Sequence, residues 1–116
     1  MNKPRRIMTL KENHLFARAY RKGRCFSGKT VAVYVLRNNN REQTLLGITV
    51  SKSRGNAVQR NRTKRIIREA YRAFHPFIKE GFIIVIVARQ QAVGAHVSAV
   101  TSELEELLEK AILLGD

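Results

Sequence analysis

The segment Phe82–Arg89, FIIVIVAR, constrains the fold of this chain more than any other, because it is apolar at nearly every position. Side chains alternate between the two faces of a strand, so a strand that is apolar on both faces should be covered on both. The run is strand-sized and falls well short of the roughly 20 apolar residues that a membrane span needs. The 116-residue chain is therefore expected to be a single domain that packs other elements on each side of one buried strand.

Residues 9–22 predict a first helix, which follows a loose basic arm at residues 1–8. Thr9 and Glu12 have the three-residue spacing of a capping box, and Gly23 is a typical helix stop. Apolar side chains recur at helical spacing and form one stripe on this helix: Leu15, Phe16, Ala19 and Tyr20.

Two strands are predicted next, at residues 26–37 and 43–52. In the first, Tyr34 lies on the face opposite to the valines of the same strand, because successive side chains alternate. The valines are Val31, Val33 and Val35, the other face carries Ala32, Tyr34 and Leu36, and the second strand alternates through Leu46, Ile48 and Val50. The three asparagines at 38–40 are a turn signal, so we expect the two strands to form a hairpin or meander.

Two more helices are predicted, at about residues 57–74 and about 98–114. The first ends before Pro76, and Ser53–Asn56 forms the loop that precedes it. The second has apolar residues in register at Val100, Leu104, Leu107, Leu108 and Ala111. The order α-β-β-α-β-α, with the long strand at 26–37 open to division in two, predicts an α+β fold. Its architecture is a two-layer α/β sandwich with a three- to four-stranded mixed sheet and three helices.

Charge is distributed unevenly along the chain, which has 22 Lys and Arg against 9 Asp and Glu, a net charge of +13. Residues 1–72 hold 19 basic and 3 acidic residues, whereas residues 73–116 hold 3 basic and 6 acidic ones. Charge of one sign on one part of a folded domain predicts a polyanionic partner. Nucleic acid is the first candidate. An anionic membrane is the weaker one, because the basic segments are not paired with membrane-seeking aromatics.

The basic charge is densest in Ser51–Arg72, SKSRGNAVQRNRTKRIIREAYR, which contains eight basic residues and one acid. On a helical wheel the apolar residues cluster on one side, at Thr63, Ile66, Ile67, Ala70 and Phe74. Cations follow at four-residue steps around the other side, at Arg60, Lys64, Arg68 and Arg72, with Arg65 between them and Arg62 at the boundary. Guanidinium forks match phosphate oxygens and stack on bases, so this face predicts an RNA-binding surface. A merely solvated cationic face is the alternative.

The segment Gly55–Glu69 closely resembles the signature of the bacterial ribonuclease P protein family. The residues that carry the resemblance are Gly55-Asn56-Ala57-Val58, Arg60-Asn61-Arg62, Lys64-Arg65 and Arg68-Glu69. The similarity extends from Leu10 to Leu108 and includes Phe16, Tyr20, Tyr34, Gly47-x-x-Val50-Ser51-Lys52 and Ile83–Arg89. It implies an α-β sandwich with a left-handed crossover through the arginine-rich helix. It also implies the role of protein subunit in a ribonucleoprotein endonuclease that removes the 5′ leader of precursor tRNA.

The resemblance further implies two binding surfaces. The first is expected to bind the catalytic RNA of ribonuclease P through Lys52, Arg54, Asn56, Arg60, Asn61, Arg62, Lys64, Arg65, Arg68 and Arg72. The second is expected to bind the single-stranded leader of precursor tRNA through Phe16, Tyr20 and Tyr34. On sequence alone, Phe16 and Tyr20 are better explained as core residues that pack the first helix onto the sheet, because apolar helix stripes are usually core. The resemblance reverses this preference. The last segment, from residue 102 onward, is acidic where many relatives have a basic tail, so an RNA contact by the last helix is not implied.

No catalytic constellation is visible within the protein itself. His14, His75 and His96 lack Cys or carboxylate neighbours at ligand spacing, and the acids do not cluster. We therefore expect no catalytic residue and no metal site in the protein, with the Mg²⁺ that the resemblance implies held mainly by the RNA. We expect no membrane association and no obligatory protein partner. The single cysteine, Cys25, suits a cytoplasmic location.

Three other functions fit parts of the sequence. A structural RNA-binding protein of ribosomal type would share the composition and charge, but not the arginine-rich signature with its aromatic residues. A free-standing nuclease would need an acid cluster. A DNA-binding recognition helix would need a preceding positioning helix, whereas Ser53–Asn56 follows a predicted strand.

Overall fold

The structure, a computed structural model, describes residues 6–111 and 113. In these residues five strands form one mixed sheet, ordered β1-β4-β5-β3-β2. The strands are β1 (Met8–Thr9), β2 (Arg24–Ser27), β3 (Val31–Arg37), β4 (Leu45–Thr49) and β5 (Phe82–Ala88), and the helices are α1 (Asn13–Lys22), α2 (Ala57–Arg72) and α3 (Val97–Lys110). The α+β class and the three helices are confirmed, and the sheet has more strands than the three to four expected.

The apolar strand β5 lies at the centre of the sheet and is covered on both faces, as its sequence predicts. Ile84 and Ile86 point into a large core shared with α2 and α3. Ile83 and Val85 point to the opposite face, where they pack with Ala19 of α1 and the partly buried Phe16. One helix therefore covers one face of the sheet and two helices cover the other.

The predicted hairpin between the strands at 26–37 and 43–52 is wrong, because β5 lies between β3 and β4. β3 pairs with β5 antiparallel and β4 pairs with β5 parallel. The connecting loop crosses the start of β5, where the Asn38 amide donates to the Gly81 carbonyl at 2.8 Å and the Gly81 amide donates to the Thr44 hydroxyl at 3.0 Å. A strand that is apolar on both faces buries the most apolar surface at the centre of a sheet. The free energy of that burial outweighs the local turn signal.

The long predicted strand at 26–37 is divided in two, the option that the sequence left open. β2 and β3 are antiparallel neighbours, and the turn between them is fixed by Glu103 of α3. The Glu103 carboxylate accepts hydrogen bonds from the amides of Lys29, Thr30 and Val31 at 2.8, 2.7 and 3.0 Å and from the Thr30 hydroxyl at 2.7 Å. Burial alone would raise the pKa of Glu103, but these hydrogen bonds hold it below its usual value.

The predicted capping box at Thr9 and Glu12 is also wrong. Thr9 belongs to β1, which pairs with β4, and α1 begins at Asn13 after an N-cap Glu12 that makes no side-chain cap bond. The sheet captures this segment because Leu10 is buried and its amide donates to the Leu46 carbonyl at 2.8 Å. The predicted arm at 1–8 is thus partly in the sheet, and its residues 1–5 lie outside the described residues.

The other two predicted helices are confirmed with shorter bounds. α2 ends at Arg72, before a short 3-10 turn at His75–Phe77, and α3 ends at Lys110, while residue 114 of the predicted range lies outside the described residues. α2 connects the parallel neighbours β4 and β5, and the left-handedness of this crossover stays a prediction. Within residues 6–111 and 113, no helix is long and apolar enough to cross a membrane.

Candidate nucleic-acid interface

The start of α2 is fixed by a capping box that sequence reasoning did not identify. The Gln59 amide donates to the Asn56 side-chain oxygen at 2.9 Å, and the Asn56 amide donates to the Gln59 side-chain oxygen at 3.0 Å. Gly55 precedes the box with a φ of 128°, a backbone conformation that L side chains rarely adopt. These contacts hold the loop before α2 in one conformation and set the direction in which the helix leaves it.

The cations of α2 fall into two groups by exposure. Arg62, Arg65, Arg68 and Arg72 are exposed, whereas Arg60 and Lys64 are half-buried. A four-residue step advances about 40° around a helix of 3.6 residues per turn, so the row drifts from the packed edge to the solvent face. The buried side is formed by Thr63, Ile67, Ala70 and Tyr71, of which Tyr71 was not predicted. The four exposed arginines therefore form the accessible part of the cationic face.

Only one of these arginines has an ion pair among the described residues. The Arg72 guanidinium lies 3.2 Å from the Glu69 carboxylate, and both side chains are more than half exposed, so this pair contributes little stability. The remaining positive charge on the face is not compensated within the described part of the chain. Such a face is suited to bind phosphates.

Four of the predicted RNA-binding residues have side-chain contacts within the protein: Arg54, Asn56, Arg60 and Arg72. The Arg60 guanidinium donates to the Asn56 carbonyl at 3.5 Å, and the Arg72 contact is the ion pair with Glu69. Arg54 is half-buried and its guanidinium donates to the Gln90 side chain at 3.1 Å, which ties the loop before α2 to the turn after β5. The side-chain oxygen of Asn56 is used in the capping box. Lys52 and Asn61 are exposed and lie beside the arginines of α2 along the chain.

On the opposite face of the sheet, Phe16 of α1 lies directly over Gly47 of β4. A Cβ added to Gly47 would lie 2.5 Å from the Phe16 Cε1 and 2.6 Å from its Cζ, closer than real Cβ contacts allow. Phe16 is half-buried and packs with the small core of Leu10, Ala19, Ile83 and Val85. The core interpretation of Phe16 is thus correct in part, and Gly47 is required for its position. A glycine within a predicted strand is the sequence signal that could have indicated this close packing of Phe16.

Tyr20 and Tyr34 form an aromatic pair beside Phe16. Their ring centroids are 5.0 Å apart at an interplanar angle of 83°, and Tyr20 is 41% exposed. The Tyr20 hydroxyl is 3.3 Å from the Thr49 hydroxyl of β4. A hydrogen bond with the Cys25 side chain raises the pKa of Tyr34 above its ordinary value. The edge-to-face pair presents both ring surface and hydroxyls to solvent.

The sheet beside this pair carries a row of short side chains, which range from the exposed Ser27 to the buried Ala32. Ser27, Ala32, Val87 and Thr49 are neighbours across β2, β3, β5 and β4 on the same face as Tyr34. We define the aromatic cleft as Phe16, Tyr20 and Tyr34 together with this row. Sequence reasoning predicted its aromatic residues and missed its floor, which depends on the strand order. The cleft and α2 meet at the end of β4, where Thr49 leads into the loop before the helix.

The described residues, 6–111 and 113, bring no three His, Cys, Asp or Glu side chains together as a metal site. The Mg²⁺ that the resemblance implies therefore finds no fitting ligand cluster in this part of the chain. His75, one of the three histidines without ligand-spaced neighbours in the sequence, is buried. Its Nδ1 is 2.9 Å from the Tyr71 hydroxyl and its Nε2 is 3.2 Å from the Arg6 carbonyl oxygen.

The fold and these two surfaces define a class: a small, basic α+β protein with a cationic helix and a half-exposed aromatic cleft, as suits RNA binding. The family model described as Ribonuclease P matches residues 4–112. The ribonuclease P protein component of Clostridium novyi is 38% identical over 103 residues, which cover 88% of this chain and 91% of that protein. That of Lachnoclostridium phytofermentans is 40% identical over 102 residues, covering 85% of this chain and 84% of the other.

Solved structures agree with this. The RNase P protein of Staphylococcus aureus superposes with a TM-score of 0.83 at 34% identity. The superposition covers 95% of this chain and 100% of the S. aureus chain. The RNase P protein of Thermotoga maritima gives a TM-score of 0.74 at 26% identity, covering 91% and 97%. This chain therefore belongs to the ribonuclease P protein family. Its function is that of the protein subunit of ribonuclease P, the ribonucleoprotein endoribonuclease that processes the 5′ end of tRNA.

Proposed function

We propose that the protein binds the RNA subunit of ribonuclease P through the exposed face of α2 and binds the 5′ leader of precursor tRNA in the aromatic cleft. The RNA subunit then carries out the magnesium-dependent cleavage of the phosphodiester, and the complex acts in the cytoplasm. The protein contributes no catalytic group and holds no catalytic magnesium. It positions the substrate relative to the RNA.

The observation that carries this proposal is the partial exposure of the Tyr20–Tyr34 pair on the sheet face that α1 covers, where Tyr20 is exposed and Tyr34 is half-buried. Tyr20 is 41% exposed although it lies on the stripe that packs α1. A residue needed only for packing would be turned inward, as Ala19 is at 0% exposure. Exposed aromatic rings beside small side chains form a platform for unpaired bases. Only precursor tRNA has a leader to place there, so the cleft accounts for discrimination between precursor and mature tRNA.

The face of α2 supports the second part of the proposal through its unpaired charge. Arg62, Arg65 and Arg68 are exposed and make no ion pair within the described residues. The apolar side of the helix is buried against the sheet and α3, so the cationic side is held rigidly. A rigid row of guanidinium groups suits a folded RNA whose phosphates have fixed positions.

The cleft is tested by the affinity of the reconstituted holoenzyme for precursor and mature tRNA. Stacking of one base on an aromatic ring is worth about 1–3 kcal/mol, so Tyr34→Ala should weaken precursor binding by about 5- to 150-fold. Tyr34→Phe keeps the ring and should be mild. Phe77→Ala removes an aromatic side chain that is 62% exposed outside the cleft, and it serves as the matched control.

Mature tRNA should bind all these variants equally well, because it has no leader. If Tyr34→Ala weakens precursor and mature tRNA to the same extent, the ring does not bind the leader. Phe16→Ala is a less clean variant, because Phe16 also packs the small core and its loss should lower stability as well.

The RNA-binding face of α2 is tested by affinity for the RNA subunit across a salt series. Arg65→Ala and Arg68→Ala should each weaken binding and lower the log–log salt slope by about one unit or less. Both variants should remain folded, since neither side chain lies on the buried face. Lys110→Ala on the acidic helix α3 is the matched charge control and should leave the slope unchanged. Unaltered affinity in folded Arg65 and Arg68 variants would show that the face is only solvated.

A further inference from the structure

A second cationic surface lies on the opposite face of the sheet from the aromatic cleft. Arg24 pairs with Val35, and Arg37 pairs with Phe82 of β5. Arg37 is two residues beyond Val35, so both guanidinium groups belong to the same face of the sheet, the one that α2 and α3 cover. Neither residue belongs to the RNA-binding set that the family resemblance implies.

These side chains line an open groove of about 520 Å³ beside Ala111, the residue that follows α3. Its cations are Arg24, Arg37 and Lys79, and the one acid is Glu80. The three cations are exposed, and none has an ion pair among the described residues. The groove is therefore a net positive surface whose charge is not compensated by these residues.

The two arginines are held by aromatic rings rather than by carboxylates. The Arg24 Cζ lies 5.0 Å from the ring centroid of Phe26, and the Arg37 Cζ lies 5.8 Å from that of Phe82. A guanidinium over a ring keeps its hydrogen-bond donors free, because the ring contacts its plane and not its edge. Two pre-oriented forks are thus available to phosphate oxygens, and their flat surfaces are available to bases.

The groove is continuous with the aromatic cleft around the edge of the sheet. β2 is the outermost strand on this side of the sheet that the structure describes, and side chains alternate along it. Cys25 therefore lies beside Tyr34 on the cleft face, while Arg24 and Phe26 lie on the groove face. The exposed cations Arg21 and Lys22, at the end of α1, immediately precede this strand. A single strand that leaves the cleft past Tyr34 needs to cross only one exposed strand to reach Arg24.

We propose that the groove of Arg24, Arg37 and Lys79 binds the distal part of the precursor tRNA leader, upstream of the nucleotides that lie in the cleft. This inference rests on the proposed function of the cleft. The positive charge of the groove favours a polyanion as its ligand. The short path over β2 favours the single-stranded RNA that is proposed to occupy the cleft. The groove thus makes the affinity of the holoenzyme depend on leader length.

The test compares holoenzyme affinity for mature tRNA and for precursors with leaders of about 5 and about 15 nucleotides, near the limits of known single-strand grooves. Arg24→Gln combined with Arg37→Gln should weaken binding of the long-leader precursor by about 10-fold, as two exposed charge contacts are lost. The short-leader precursor and mature tRNA should bind as before. Lys29→Gln is the matched charge control, because Lys29 lies in the β2–β3 turn and does not line the groove. If the double variant is unstable, Lys79→Gln replaces it in the test, because this change disturbs no ring contact. It should weaken only the long-leader complex, by about 3-fold.

An unchanged long-leader affinity in folded variants would overturn the proposal. An equal loss for long-leader, short-leader and mature tRNA would also overturn it, since that would place another part of the RNA in the groove. Tyr34→Ala in the same assay separates the two proposals. If it leaves both precursors unaffected while Arg24 and Arg37 act on the long leader alone, the cleft assignment fails, and the groove binds the leader without a path through the cleft.

Discussion

The position of Phe16 over Gly47 makes Gly47→Ala a sharp test of how the aromatic cleft is built. The new Cβ would lie 2.5 Å from the Phe16 Cε1 and 3.2 Å from the Leu10 Cδ2. Leu10 is buried and leaves no space for the ring, so we expect the Phe16 ring to move toward the cleft. The same substitution should therefore strain the small core and change the proposed leader-binding surface.

The magnitude follows from two opposing effects. Overpacking a core contact costs about 1–3 kcal/mol. Replacing glycine by alanine within a strand returns about 0.5–1 kcal/mol, because the unfolded chain loses freedom. The net loss in the free energy of unfolding should be about 0.5–2 kcal/mol, which lowers Tm by about 2–10 °C in a domain of this size. Precursor tRNA affinity of the holoenzyme should fall while mature tRNA affinity is unchanged.

The assay is thermal or urea unfolding of Gly47→Ala in two backgrounds, wild type and Phe16→Ala. Without the ring, the added methyl group has room, so Gly47→Ala should become neutral or slightly stabilising. The coupling energy between the two positions should be about 1–3 kcal/mol. An equal destabilisation in both backgrounds would rule out a clash with Phe16, because the cost would then come from the strand itself.

Two further predictions concern the turn at Glu103 and the division of labour with RNA. Glu103→Gln should lower the free energy of unfolding by about 1–2 kcal/mol, because a neutral amide cannot accept all four hydrogen bonds from residues 29–31. The pKa of Glu103 is below its ordinary value of 4.5, so the carboxylate's contribution is complete above that pH and declines as the pH falls through the lowered value. Urea unfolding from pH 7 to pH 3 should show this decline in the wild type and not in Glu103→Gln. Rigorously RNA-free protein should not cleave precursor tRNA in the presence of magnesium, and cleavage by it would contradict the assignment of catalysis to the RNA.

The elements predicted correctly from sequence are those with strong local patterns. α2 and α3 have apolar stripes at helical spacing over three or more turns, and β5 is apolar throughout. β1 has two residues, Met8 and Thr9, and no pattern of that length distinguishes a strand from a helix start. Its pairing with β4 depends on contacts distant in sequence, so the competing capping-box spacing was misleading.

The strand order, like the pairing of β1, could not be predicted from local sequence patterns. The asparagine turn at 38–40 indicates only that the chain reverses, not whether the next strand pairs with the last one. β5 is more than thirty residues away in sequence, yet it takes the place between β3 and β4 because both of its faces need cover. Contacts that join distant elements, such as Arg54 with Gln90, were beyond local patterns for the same reason.

In the candidate site, residue types were predictable and their division of roles was not. The aromatic residues of the cleft and the arginines of α2 stand out in the sequence by spacing and charge. Whether the Asn56 side chain caps a helix or faces a ligand depends on its own conformation, in which its oxygen accepts from the Gln59 backbone amide. Sequence spacing alone also gave no reason to separate half-buried Arg60 from exposed Arg68.

The central claim, that the leader of precursor tRNA lies across Tyr34, is tested most directly at Cys25. This is the only cysteine of the chain, it is exposed, and it pairs with Tyr34 across β2 and β3. A photoreactive group attached to the Cys25 thiol would therefore report on what passes over the cleft in the holoenzyme. We expect crosslinks to leader nucleotides of bound precursor tRNA and none to mature tRNA. Crosslinks to the RNA subunit alone, with the leader unmodified, would contradict the account.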